Sequence, residues 1–131
     1  MLAPITAIYA ALSALFITAL AFNIARWRRR LRIGLGTGDD ERLTLAVRAH
    51  GNAVETLPLA LLLLLLLEVN GAPGWSLHVL GVLLLATRAA HAEGLLRHGG
   101  GQSSGRFYGT LGTWLVFLAM AVGLGVLALA G

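Results

Sequence analysis

Four long apolar stretches, separated by short polar connections, leave this chain few ways to fold. They cover about residues 3–25, 42–69, 75–96 and 106–131, each close to the roughly 20 residues that a helix needs to cross a bilayer core. The second contains the apolar run from Leu57 to Leu67. One such run would also suit a buried helix of a soluble protein; four joined by short turns do not. Asn70-Gly71-Ala72-Pro73-Gly74 reads as a turn. Gly99-Gly100-Gly101-Gln102-Ser103-Ser104-Gly105 reads as a flexible connector. The expected fold is an all-α integral membrane protein, a four-transmembrane-helix bundle forming a single domain over 1–131.

Composition points the same way. The chain is 57% hydrophobic and 12% charged, against about 45–50% and about 25% in soluble domains. That charge is too small to cover a water-soluble globule, which excludes a soluble enzyme core and a disordered chain. The lack of cysteine excludes a disulfide-stapled domain and leaves the redox compartment open. A pI near 11.1 would suit a nucleic-acid binder, but that needs a solvated basic face, so no nucleic-acid partner is expected.

The basic residues set the expected topology. All ten are arginine, at 26, 28, 29, 30, 32, 42, 48, 88, 97 and 106. They cluster near the connections between stretches one and two and between three and four. The positive-inside rule puts both connections in the cytoplasm and both termini outside. The first stretch lacks the leading positive charge of a secretory signal and carries its arginines afterwards, so it is expected to be retained as a helix.

Several polar residues interrupt the apolar stretches in register. Arg48, Asn52 and Glu55 follow i, i+4, i+7 spacing and share a helix face. Arg88 and His91 share one at i, i+3, and Arg106, Thr110 and Thr113 form a further i, i+4, i+7 stripe. All fall in the expected cytoplasmic half. A charge at mid-membrane costs roughly 2.5–3.5 kcal/mol. An ion pair between Arg48 and Glu55 would offset that locally. Arg48, Arg88 and Arg106 nevertheless outnumber Glu55, and surplus guanidinium suits bidentate binding of an anion. Anionic lipid headgroups or a carboxylate-bearing small molecule would both serve.

Other chemistry has little support. His50, His78, His91 and His98 lack metal-ligand spacing, so no metal is expected. The glycine connector lacks the ending of a phosphate-binding loop. Gly105 and Gly109 have the spacing of close helix packing. No Ser-His-Asp or Cys-His arrangement appears, so any nucleophile would have to come from a bound cosubstrate.

The segment Arg48-Ala49-His50-Gly51-Asn52-Ala53-Val54-Glu55-Thr56-Leu57-Pro58, preceded by Glu41-Arg42, resembles the opening of helix two in the MAPEG family. These are the membrane-associated proteins in eicosanoid and glutathione metabolism. The basic exit Arg26-Trp27-Arg28, the Arg88-Ala89-Ala90-His91 segment and an arginine opening stretch four extend the likeness along the chain. The pattern is most similar to small bacterial members, which places the chain in a bacterial inner membrane. The resemblance implies a homotrimer binding glutathione between subunits toward the cytoplasmic side. Arg26, Arg48, Asn52, Glu55, Arg88 and His91 would hold the cosubstrate, and Arg106 would be the catalytic cation.

The implied reaction is activation of the glutathione thiolate against lipophilic electrophiles or lipid hydroperoxides, as a transferase or peroxidase. A free thiol has a pKa of about 8.5, and a neighbouring guanidinium lowers it. The sequence also departs from the family pattern. Leu95 stands where family enzymes often carry an aromatic hydroxyl, Phe107 where some carry serine, and Gly51 where some carry arginine. Tyr108 is two positions beyond Arg106 and is expected to point elsewhere. Eicosanoid synthesis therefore loses support, and glutathione binding stands ahead of transfer. The alternative is a non-catalytic membrane trimer holding glutathione, anionic lipid or another anion in an intersubunit arginine pocket. A transporter subunit lacks its expected discontinuous helices.

Overall fold

The computed structural model describes residues 1–130 and contains four helices: α1 (Pro4–Leu31), α2 (Glu41–Val69), α3 (Gly74–His98) and α4 (Ser104–Ala130). All four are long and apolar enough to cross a membrane, and no strand occurs among the described residues.

Local chemistry sets the helix ends. Pro4 starts α1, where its missing N–H costs nothing. Arg32 ends that helix in the left-handed region (φ 58°). Asp40 caps α2 by accepting from the Leu43 amide at 2.9 Å. Ser103 accepts from the Arg106 amide at 3.2 Å where α4 begins. One cap comes from far away in sequence. The Glu68 carboxylate at the end of α2 accepts from the amides of Ile5 (2.9 Å) and Thr6 (2.7 Å). It satisfies two orphan donors of α1 and sits at the positive end of that helix.

The core follows from the spacing of small and branched residues. On α2, Ala46, Ala49, Ala53, Leu57, Ala60, Leu64 and Leu67 recur every three or four positions and are all buried. Leu59, Leu62, Leu65 and Leu66 of the same helix face outward. Pro58 lies within α2 and removes the amide that would bond the Val54 carbonyl. The most extensive contact is between α3 and α4, followed by α1 with α2 and α2 with α3. Helices α2 and α3 are thus central; α1 and α4 form opposite edges and do not touch.

Glycine permits the tight crossing of α3 and α4. A Cβ on Gly109 would lie 2.7 Å from the His91 amide nitrogen and from the Thr87 carbonyl oxygen. This close approach brings α4 against the polar part of α3.

Candidate functional site

The polar residues gather toward the arginine-bearing end of the bundle, around Arg88. This side chain is 4% exposed and forms hydrogen bonds that tie three helices together. Its Nε donates to Thr113 Oγ1 at 2.8 Å, Nη2 to the Gly109 carbonyl at 3.0 Å and Nη1 to Asn52 Oδ1 at 3.3 Å. Thr113 in turn donates to the Gly109 carbonyl at 2.7 Å and lies 3.0 Å from the Thr87 hydroxyl. Neutral acceptors spread along the guanidinium fork compensate a cation that would otherwise be costly to bury.

This arrangement ties Arg88 into the subunit while leaving it at the edge of a hollow. The sequence counts it among the arginines facing an anion, but three of its donors are already engaged inside the subunit. Its visible effect is on Asn52. With Oδ1 held by Arg88, the amide N–H groups of Asn52 are left for other partners. A hollow of about 190 Å3 opens beside them, lined among others by Asn52, Glu55, Arg88, Thr110, Trp114 and Phe117. Trp114 and Phe117 continue the Arg106–Thr110–Thr113 stripe along α4, a signal the sequence carries in its helical spacing.

The other expected site residues are distributed unevenly. Arg48 and Glu55 are exposed on α2. No ion pair joins them; among the described residues the one salt bridge is the exposed Arg97–Glu93 pair at 3.4 Å. His91 is 6% exposed and packs where Gly109 meets α3. Arg106 is half-buried and donates through Nη1 to the carbonyls of Gly100 (2.9 Å) and Gly101 (3.4 Å). It thereby closes the connector onto the start of α4. Arg26 is exposed on α1, at the edge opposite α4, and bonds only the Asn23 side chain at 3.2 Å.

Beside Arg106 a wider open hollow of about 700 Å3 is lined by Gln102, Ser103, Ser104, Phe107, Tyr108 and Thr110. Tyr108 therefore borders the same hollow as Arg106, contrary to the helical-register expectation, because an open surface hollow spans more than one stripe. Thr110 lines both hollows, so they adjoin along α4. Leu95 is buried in the core. The chemistry on offer is a set of cations and amide donors, one exposed carboxylate and three threonines, with aromatic side chains toward the apolar end.

The sequence model of the MAPEG family matches residues 6–126. Over 90 residues the chain is 41% identical to the inner membrane protein YecN of Escherichia coli K12, covering 69% of each chain. The YecN of Escherichia coli O6:H1 matches with the same figures.

Proposed function

The chain belongs to the MAPEG family, and from that premise we propose that it is a glutathione-dependent transferase or peroxidase of the inner membrane. The observation that carries this reading is the Arg88-held Asn52 amide beside the exposed Glu55 carboxylate. Glutathione presents two carboxylates, one ammonium and a thiol. Glu55 suits the ammonium. Arg48, Arg106 and the Asn52 amide suit the carboxylates and the thiolate, and His91 lines the same end of the bundle. Arg88 contributes through Asn52.

One subunit alone does not complete this set. Glu55 and Arg48 face outward, and Arg26 stands on the far edge from Arg106. A homotrimer that set the α1 edge of one copy against the α4 edge of the next would bring a neighbour's Arg26 toward Arg106. The site would lie in the cytoplasmic half, with both termini outside. Arg106 would hold the thiol as thiolate by charge stabilisation. That thiolate would attack a lipophilic electrophile, forming the carbon–sulfur bond as the leaving group departs. With a lipid hydroperoxide it would attack the distal oxygen, forming a sulfur–oxygen bond as the O–O bond breaks. The alkoxide takes a proton and leaves as the alcohol, and a second glutathione converts the resulting sulfenic acid to glutathione disulfide and water.

Leu95 in the core favours the second reading, a trimer that binds glutathione without catalysis. The test is thermal stability in detergent with glutathione, glutathione disulfide or phospholipid added. The proposal expects stabilisation by glutathione above both comparators, and stabilisation by phospholipid alone would overturn it. The ultraviolet absorbance of bound thiolate then separates enzyme from binder.

A further inference from the structure

The connector between α3 and α4 reads in the sequence as a flexible link, yet its backbone holds a side chain of the site. Arg106 Nη1 donates to the carbonyl oxygens of Gly100 (2.9 Å) and Gly101 (3.4 Å). Among the described residues its Nε and Nη2 make no hydrogen bond, and no acid pairs with it. The backbone of Arg106 is fixed separately. Its amide donates to Ser103 Oγ at 3.2 Å, and its carbonyl accepts from Thr110 Oγ1 at 2.9 Å. A Cβ on Gly94 of α3 would lie 2.5 Å from that same amide nitrogen, so α3 packs directly on the start of α4.

Gly99 turns the two carbonyls toward Arg106. It ends α3 with φ 67° and ψ -160°, a combination open essentially to glycine alone. A residue with a side chain would have to leave that conformation, and its Cβ would also meet Glu41 Oε1 at 3.2 Å. Any change at Gly99 is carried into Gly100 and Gly101, the next two residues. The kind of acceptor matters as well. Neutral carbonyls hold a guanidinium by their dipoles without cancelling its charge, whereas a carboxylate would neutralise it. The N–H groups of Nε and Nη2 remain together along one edge of the planar fork, where an anion can take two bonds at once. The hollow beside Arg106 is walled by the same connector, through Gln102 and Ser103.

We propose that the α3–α4 connector is a positioning element for Arg106, with Gly99 as its decisive residue. The Gly99 turn sets the Gly100 and Gly101 carbonyls on Nη1, and this presents the Nε–Nη2 edge to the bound anion with its charge intact. This role rests on Arg106 being the cation that stabilises the glutathione thiolate. Gly99 touches no reacting atom and acts through Arg106. Its replacement should therefore raise the pH at which the bound thiol ionises and leave the rest of the site in place.

The experiment follows the ultraviolet absorbance of thiolate against pH, with the full-length protein in detergent at saturating glutathione. In the parent protein the bound thiol should be half-ionised well below the pH of about 8.5 at which a free thiol is half-ionised. Arg106→Gln should return the midpoint to that of a free thiol, and Gly99→Ala should move it most of the way. Binding of S-methylglutathione, which has no thiol to ionise, should be unchanged in Gly99→Ala. Gly71→Ala controls for backbone strain. Gly71 also has a positive φ (83°), stands in the α2–α3 turn at the other end of the bundle and would meet nothing within 4 Å. Its replacement should leave the thiol titration as in the parent. A parent midpoint equal to that of free glutathione would defeat the thiolate role of Arg106 and the positioning role with it. A lowered parent midpoint shared by Gly99→Ala would defeat the positioning role alone. So would an equal rise in Gly71→Ala, or loss of S-methylglutathione binding in Gly99→Ala. If Gly99→Ala does not insert, one glycine added between Gly101 and Gln102 decides, because it displaces the carbonyls without straining Gly99. A raised midpoint then supports the positioning role and an unchanged one refutes it.

Discussion

Asn52→Leu should destabilise the subunit more than Arg88→Met, although Arg88 makes more of the bonds. In Asn52→Leu, a guanidinium that is 4% exposed loses its Nη1 acceptor and keeps its charge. Leaving a buried donor unmade costs about 1–3 kcal/mol. In Arg88→Met the charge leaves together with its donors. The Gly109 carbonyl still accepts from Thr113, and the Thr113 hydroxyl stays within reach of Thr87. Only Asn52 Oδ1 is orphaned. Hydrogen bonds between membrane helices average about 0.6 kcal/mol, so three of them return roughly 2 kcal/mol. Removing the charge recovers part of a mid-membrane cost of about 2.5–3.5 kcal/mol. These terms nearly cancel, and Arg88→Met should lie within about 1 kcal/mol of the parent. In the Arg88→Met background, Asn52→Leu should then lose most of its cost. The assay is unfolding in mixed detergent at graded SDS, followed by circular dichroism, for both single variants and the double. An Asn52→Leu cost that is the same in both backgrounds to within about 0.5 kcal/mol would refute the reasoning.

Further outcomes are open to direct measurement. Gly109→Ala pushes a methyl against the α3 backbone and should cost about 1–3 kcal/mol. Gly125→Ala meets nothing within 4 Å and should stay within about 0.5 kcal/mol in the same unfolding assay. Glu68→Leu removes both carboxylate bonds to the start of α1 and should cost about 1 kcal/mol. Faster amide exchange confined to the first turn of α1 would confirm the cause; faster exchange throughout the bundle would contradict it. Arg106→Ala should lower conjugation rate by about 100-fold, as loss of one transition-state donor does elsewhere, and glutathione affinity far less. Equal losses in both would move Arg106 from catalysis to binding.

The helices were legible because four apolar stretches of bilayer length admit few alternatives; the largest difference is at α1, which continues through the arginine cluster to Leu31. Arg48, Asn52 and Glu55 could be placed on one face from spacing alone. The state of Arg88 could not. Its acceptors come from α2 and α4, and a count of charges along α3 carries no record of them. The same limit hid the Glu68 cap on α1, whose partners are 62 and 63 residues away. It also hid the stacking of Arg30 and Arg42 on Trp27. Charge patterning located the polar end of the bundle; the division of labour among its arginines needed the third dimension.

The separation of α1 from α4 bears on symmetry. A subunit with two unlike free edges can join copies of itself in two ways. A two-fold pairing sets like against like, covering both α1 edges or both α4 edges and leaving the other kind bare. Head-to-tail joining sets α1 against α4 at every contact, and it closes into a ring when the turn per copy divides a full circle. In such a ring every residue on the α1 edge meets the same foreign surface in each copy. A single altered residue there is repeated at every joint, and its effect on assembly grows with the number of joints in the ring.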